Sequence, residues 1–318
     1  MGVYQGRGAA IGIGKESTWN SAVSRTIWRP LISADLKATR QLAAAPNLIG
    51  AADINVRNMF ATAQEVGGSF ELEFHYRGIG IILDNVFGTA ATTGSGPYVH
   101  TYSLANAPGT GLSIELVKGL DEADSGVSEL FTGCRVSQLG ISASVGEIAR
   151  MNAQVIAGTA AARGTAPTPA LSANYEPVLP SIQGGQFSFN SVNYDLISLD
   201  VTINRGLSRR QEFGSLNTKQ PTASNPIEVT ATATLRYSAD SLYTAQLAET
   251  QSDATITFTG NGNSAMTFTL QNCLITSASD PTNQFGDLTQ TVELRALSDG
   301  TDKGISLAIT NDDSTAIS

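Results

Sequence analysis

The chain has 318 residues, a formal net charge of -9 and 15% charged residues, against about 25% in an ordinary soluble domain. No run approaches the ~20 apolar residues of a membrane-spanning helix, and no basic run or basic-aromatic cluster offers the counterion-displacing surface that tight nucleic-acid binding needs. Sparse charge points to a surface destined for contact, because isolated monomers normally rely on charge to stay apart.

The N-terminal MGVYQGRGAAIGIGK lacks a basic head followed by an apolar core, which predicts no export signal. The following IGIGKESTW, Ile11 to Trp19, has the look of a phosphate-binding loop, but its register fails. The first glycine slot holds Ala9, and the residue after Lys15 is Glu16, whose charge repels phosphate.

LISADLKATR reads as a strand leading into a long loop around Gln41 to Val66. Next comes GGSFELEFHYRG, in which Phe70, Leu72, Phe74 and Tyr76 alternate with Ser69, Glu71, Glu73, His75 and Arg77. That period of two is a half-buried strand. IGIILDNVFG then predicts a short helix with Ile79, Leu83, Val86 and Phe87 inward, stopped at Gly88. A Gly-, Thr- and Pro-rich stretch up to Gly111 reads as a surface insertion. Strand-like runs LSIELVKG, CRVSQLGISASV and ARMNAQVIAG follow, and GTAAARGTAPTPALSANYEPVLPS reads as a linker.

The second half repeats this order. LISLDVTINR leads into a loop around Gly206 to Pro226, and PIEVTATATLRYS alternates Val229, Ala231, Ala233, Leu235 and Tyr237 with Glu228, Thr230, Thr232, Thr234 and Arg236. Aligning Tyr76 with Tyr237 sets the two strands at an offset of 161 with their apolar faces coincident. SADSLYTAQLAE predicts a second helix, with Ser238 as cap and Leu242, Tyr243 and Leu247 inward. TITFTG, MTFTLQNCLITSAS and LTQTVELRAL close the set, and Cys134 aligns with Cys273 at an offset of 139. The expected organisation is an N-terminal arm (1–26), a first domain (27–158) with an insertion at about 88–111, a linker (159–181) and a second domain (182–318).

Chemistry is sparse. No GxSxG, HExxH or nucleophile-base pair occurs. Glu71 and Glu73 could act as paired carboxylates, but Ser69, His75 and Arg77 continue the same polar face, so a solvated face is the better reading. DEADSG, Asp121 to Gly126, places Ala123 in a calcium-ligand slot and has no closing glutamate. His75 and His100 do not stand at metal-ligand spacing from Cys134 or Cys273, and the cysteines read as buried free thiols. The expectation is no catalytic residue, no metal and no cofactor.

GRGAAIGIGKESTW, then FELEFHYRGIGIILDNVFG, then YVHTYSLA, with ISLDVTINRGL and VELRAL in the second half, resembles the tail tube proteins of long-tailed (siphovirus-type) bacteriophages. The likeness covers most of the chain. It departs from the pattern at Asn20, where glycine is expected after the tryptophan. The resemblance implies a mainly β fold of two tandem β-sandwich or half-barrel tube domains, each with one short α-helix. It implies six domains around a channel, hence a homotrimer of two-domain chains with pseudo-sixfold symmetry, stacked into a β-barrel tube for DNA ejection.

Its implied partners are the chain itself, a tape measure protein, tail terminator and distal tail proteins, and double-stranded DNA in passing. Its implied location is the virion tail, after synthesis in the host cytoplasm. On this reading Glu71, Glu73, Thr230, Thr232 and Thr234 are candidates for the lumen face, because a neutral to acidic wall does not hold phosphates. Asn47, Asp53, Arg57, Phe213, Asn217 and Lys219 are candidates for inter-ring loops. VTATATL, uncharged between Glu228 and Arg236, is expected to be an open edge available for pairing between chains. The alternatives are a two-domain β-sandwich adhesin or carbohydrate-binding module, and a related tube such as a gene transfer agent.

Overall fold

The computed structural model describes residues 8–44, 59–121, 124–171, 176–238, 240–279, 287–300 and 304–316. Antiparallel strands dominate it. In the first half, β1 (Ala10–Lys15) pairs with β2 (Ile27–Pro30) on one side and β8 (Leu112–Asp121) on the other. β3 (Ser33–Ala34) and β4 (Lys37–Ala44) continue from β2 and pair with β5 (Met59–Glu73). β5 pairs with β10 (Arg150–Ala157), β10 with β9 (Asp124–Ser144), and β9 returns to β8. The pairings close on themselves. Residues 10–15, expected in an arm, are a strand within this ring of pairings.

The second half follows the same circuit. β13 (Gln186–Phe189) pairs with β14 (Val192–Asn204), β14 with β17 (Glu228–Arg236) and β17 with β20 (Thr289–Ala296). β20 then pairs with β19 (Ala265–Ala278), β19 with β18 (Gln251–Thr259), and β18 with β13. Registers and irregularities correspond. Leu112 faces Cys134 just before a bulge, as Ser252 faces Cys273; Ala153 faces Leu139, as Val292 faces Ala278. Phe74 N–H donates to Ala149 O, as Tyr237 N–H donates to Leu288 O. That last pair puts the structural offset at 163 for this strand. The tyrosine alignment at 161 is therefore slipped by two residues, a slip that leaves each face unchanged because the side-chain period is two.

Two seams join the halves. β9 pairs with β14 from Gln138↔Asn204 to Ser144↔Ser198. β21 (Ile305–Asn311) pairs with β19 and with β7 (Tyr98–Leu104), which itself pairs with β6 (Gly88–Thr93). The insertion expected as a surface loop is thus the β6–β7 hairpin, held in the sheet by β21.

α1 (Gly80–Phe87) has all its residues buried, and Gly88, at φ 83, returns its N–H to Asp84 O as the C-cap. The sequence placed this end correctly because a left-handed cap favours glycine. α3 (Ser241–Leu247) differs: Asp240, not Ser238, is at the N-cap, and only Leu242 is buried, while Tyr243 and Leu247 are exposed. The linker is partly regular. β11 (Thr159–Ala160) and β12 (Gly164–Thr165) pair with β9, and a one-turn α2 (Pro180–Gln183) follows. Gln183 fixes it, accepting from Tyr76 Oη at 2.9 Å and donating to Glu176 at 2.8 Å.

The opening motif is structural. Lys15 pairs with Asp84 at 2.7 Å, and buried Glu16 accepts from Ser113 Oγ, the Gly133 N–H and the Asn20 N–H at 2.7–2.9 Å. Trp19 Nε1 donates to Gly133 O. Asn20 sits at φ 63, a conformation glycine favours and asparagine tolerates, and its Oδ1 accepts from Thr132 and Thr159.

Both cysteines are free and buried. Burial pushes the Cys273 thiol up to about 12 and the Cys134 thiol well above its ordinary range. Since the thiolate is the reactive form, the native protein should release no colour with Ellman's reagent at pH 8, and both thiols should titrate in denaturant. A fast-reacting native thiol would contradict this packing.

Candidate functional site

The seam between β9 and β14 makes one continuous sheet, in the order β4 and β3, β5, β10, β9, β14, β17, β20, β19. Its register can be read straight across the molecule. One row runs Ser33, Glu71, Asn152, Gly140, Thr202, Thr230, Arg295. The next runs Glu73, Arg150, Ser142, Asp200, Thr232, Glu293, Ser277. Every residue in both rows is exposed or half-buried. The residues between them, Leu72, Met151, Ile141, Val201, Ala231 and Leu294 among them, are buried. Each large apolar side chain so buried contributes about 1.5–3 kcal/mol, which fixes the polar face outward.

Glu71, Glu73, Thr230, Thr232 and Thr234, predicted from two separate strands, therefore share one face of one sheet. The sequence missed Asn152, Arg150, Ser142, Asp200, Glu293 and Arg295 on the same face. Alternation in ARMNAQV and TVELRA marks these as outward positions, but nothing local reveals which strands are neighbours.

The face is acidic. Arg150 lies 3.4 Å from Glu71, and Arg295 lies 3.1 Å from Glu228. Exposed pairs of this kind contribute only ~0–1 kcal/mol of stability, but they neutralise both arginines. Asp200 and Glu293 have no salt-bridge partner among the described residues. The surface is concave where Glu71, Ser142, Arg150, Asn152 and Asp200 meet.

Two buried arginines brace the seam from behind. Arg205 donates its backbone N–H to Ser137 O, and its guanidinium to Ala105 O at 2.7 Å and Asn106 O at 3.2 Å. Burial, with Arg135 nearby, pushes that guanidinium down to about 10. Arg135, lowered by burial, donates to Pro221 O at 3.1 Å. Together they hold the end of the β6–β7 hairpin and the chain after Gly206 against β9.

The segments expected as unstructured loops contain paired strands among their described residues. β4 and β5 take up residues 41–44 and 59–66 of the first, and β15 (Leu207–Arg210) pairs with β16 (Lys219–Ala223) in the second. Phe213 is fully exposed at the tip of that second hairpin, Asn217 bridges to Gln64, and Lys219 begins β16. Leu42, Met59 and Phe60 are exposed on the adjoining β4–β5 arm. Asn47, Asp53 and Arg57 lie outside the described residues. No cluster able to hold a metal ion occurs among the described residues.

A mainly β protein whose one sheet crosses both halves, polar on one side and core on the other, is the class defined by this geometry. The sequence profile of the phage tail tube protein family matches residues 6–296, and the chain belongs to that family. No curated protein matches it.

One expectation is corrected. VTATATL is β17, a central strand flanked by β14 and β20, not an open edge. Proline at Thr232 removes a backbone donor and fits poorly inside a sheet. Thr232→Pro should therefore damage the subunit itself, lowering unfolding free energy in denaturant titration by at least the ~1–3 kcal/mol of an unpaired buried backbone group; unchanged stability would refute the central placement.

Proposed function

We propose that this chain is the tail tube subunit of a siphovirus-type bacteriophage and serves as a non-enzymatic wall. On this reading two tube domains, 27–158 (completed by β1) and 182–318, are joined through 159–181. Three copies form a pseudo-sixfold ring, and stacked rings make a hollow conduit for DNA ejection. The observation that carries the proposal is the continuous polar face spanning both halves, with Glu71, Glu73, Thr230, Thr232 and Thr234 toward the lumen. The correspondence in strand register between halves supports two copies of one domain.

Eight strand positions per chain, taken three times, exceed the ~16–18 at which closed barrels leave an aqueous channel. DNA passes such a wall without being held, because phosphate affinity grows with each basic contact and Arg150 and Arg295 are already paired. The β4–β5 and β15–β16 hairpins, with Phe213, Asn217 and Lys219, reach the adjacent ring. A tape measure protein occupies the growing channel, and terminator and distal tail proteins meet the ends. The subunit is made in the host cytoplasm and resides in the virion tail.

Electron microscopy of the purified chain tests this directly. Hollow tubes built of three-lobed, pseudo-sixfold rings are expected, and they should leave duplex DNA unretarded at physiological salt. A dispersed monomer that binds glycans would instead establish the adhesin reading. Phe213→Ser, which removes an exposed apolar contact, should leave rings intact while shortening or abolishing tubes. Full-length tubes from that variant would remove Phe213 from the inter-ring contact.

A further inference from the structure

The sheet has two borders, and the seam inside the chain is a template for joining them. At one border, Asp35 N–H donates to Ser69 O of β5, so the backbone groups of Leu36, Ala38 and Arg40 face outward. No strand pairs with that side among the described residues. At the other border, Ser279 N–H donates to Thr291 O of β20, so Thr276 and Ala278 face outward. That rim is not bare. The side-chain amide of Gln246, from α3, lies across it: Ala278 N–H donates to Gln246 Oε1 at 3.1 Å, and Gln246 Nε2 donates to Thr276 O at 3.4 Å. A primary amide presents an N–H and a C=O side by side, so it imitates a neighbouring backbone.

The register of the internal seam transfers to these borders. β3–β4 takes the place of β14, with LISADLKATR and LISLDVTINR in matching pairings against β5 and β17. Ala38 then corresponds to Ile203 and Arg40 to Arg205. β19 takes the place of β9, so Ala278 corresponds to Leu139 and Thr276 to Ser137. Within the chain Ile203 faces Leu139, and Arg205 N–H donates to Ser137 O.

We propose that the β19 rim of one chain pairs with the β3–β4 rim of a second copy, Ala278 opposite Ala38 and Ser277 opposite Thr39, and that Gln246 is a detachable cap on this rim. The two groups held by Gln246 are those the neighbour's Ala38 O and Arg40 N–H take over. Open sheet borders invite uncontrolled pairing, and a side-chain amide blocks the rim until a strand of the right register displaces it. Side-chain parity agrees: Ala38 is exposed and Ala278 half-buried here, whereas Ile203 and Leu139 at the finished seam are buried. Leu247, next to the cap on α3, is likewise exposed.

This inference rests on the ring reading, and the test separates the two. Ser277 and Thr39 would form a non-hydrogen-bonded pair, with Cα atoms about 4.5 Å apart, within disulfide reach. The double variant Thr39→Cys with Ser277→Cys, assembled and then oxidised, should give chains covalently linked up to trimers on a non-reducing gel. Thr39→Cys with Ala278→Cys, whose side chains point to opposite faces, should not. Tubes that form normally but never cross-link at the first pair would overturn the border register while leaving the ring intact; wild-type chains that form neither ring nor tube would overturn the ring itself. Gln246→Ala should shorten the assembly lag about three- to tenfold, as expected for losing two modest hydrogen bonds, with thermal stability of the subunit nearly unchanged. An unaltered or longer lag would remove the cap.

Discussion

Every backbone N–H and C=O inside a sheet needs a partner, and a strand at the border has a full row without one. This chain answers that constraint in three ways. Within each half the pairings run in a circuit back to their start; between halves, β9 and β14 merge two sheets into one; and at one of the two remaining borders a glutamine amide bonds the rim's free N–H and C=O. The polar face follows from the same constraint, because one unbroken sheet places alternate side chains of eight successive strand positions on a single surface.

The acid-base character of that surface is a matter of arrangement more than composition. A chain with net charge -9 could scatter its carboxylates anywhere. Here Arg150 and Arg295 are held by glutamates and Arg236 by Asp287, leaving hydroxyls, amides and unneutralised carboxylates such as Asp200. The buried arginines lie behind the face, where they bind carbonyls of connecting segments and not solvent.

Much of this was legible in the sequence, and the limits are physical. Period-two alternation placed Glu71, Glu73 and the three threonines on the outward side of their strands, as found, since parity is a local property. Gly88 marked a helix end because only a left-handed residue caps it that way. Partner identity is not local: VTATATL read as unprotected, yet lies between two strands whose sequence positions are remote. The same blindness hid the β4–β5 pairing within 41–66, the β15–β16 pairing within 206–226 and the pairing of β7 with β21. Tyr243 and Leu247 fit a helical apolar stripe, but on α3 both are exposed among the described residues, whereas α1 is covered by residues up to Gly111. The two-residue slip of the tyrosine alignment arose because identical residues attract an alignment while backbone hydrogen bonds define equivalence.

The return of the C-terminal strand to the first half has a mechanical consequence. With β9–β14 and β7–β21 both pairing across them, the halves are joined along two separate lines and cannot hinge about a single connection. If chains stack as proposed, flexure falls at the joints from one storey to the next, so a long filament would curve while each cross-section keeps its bore.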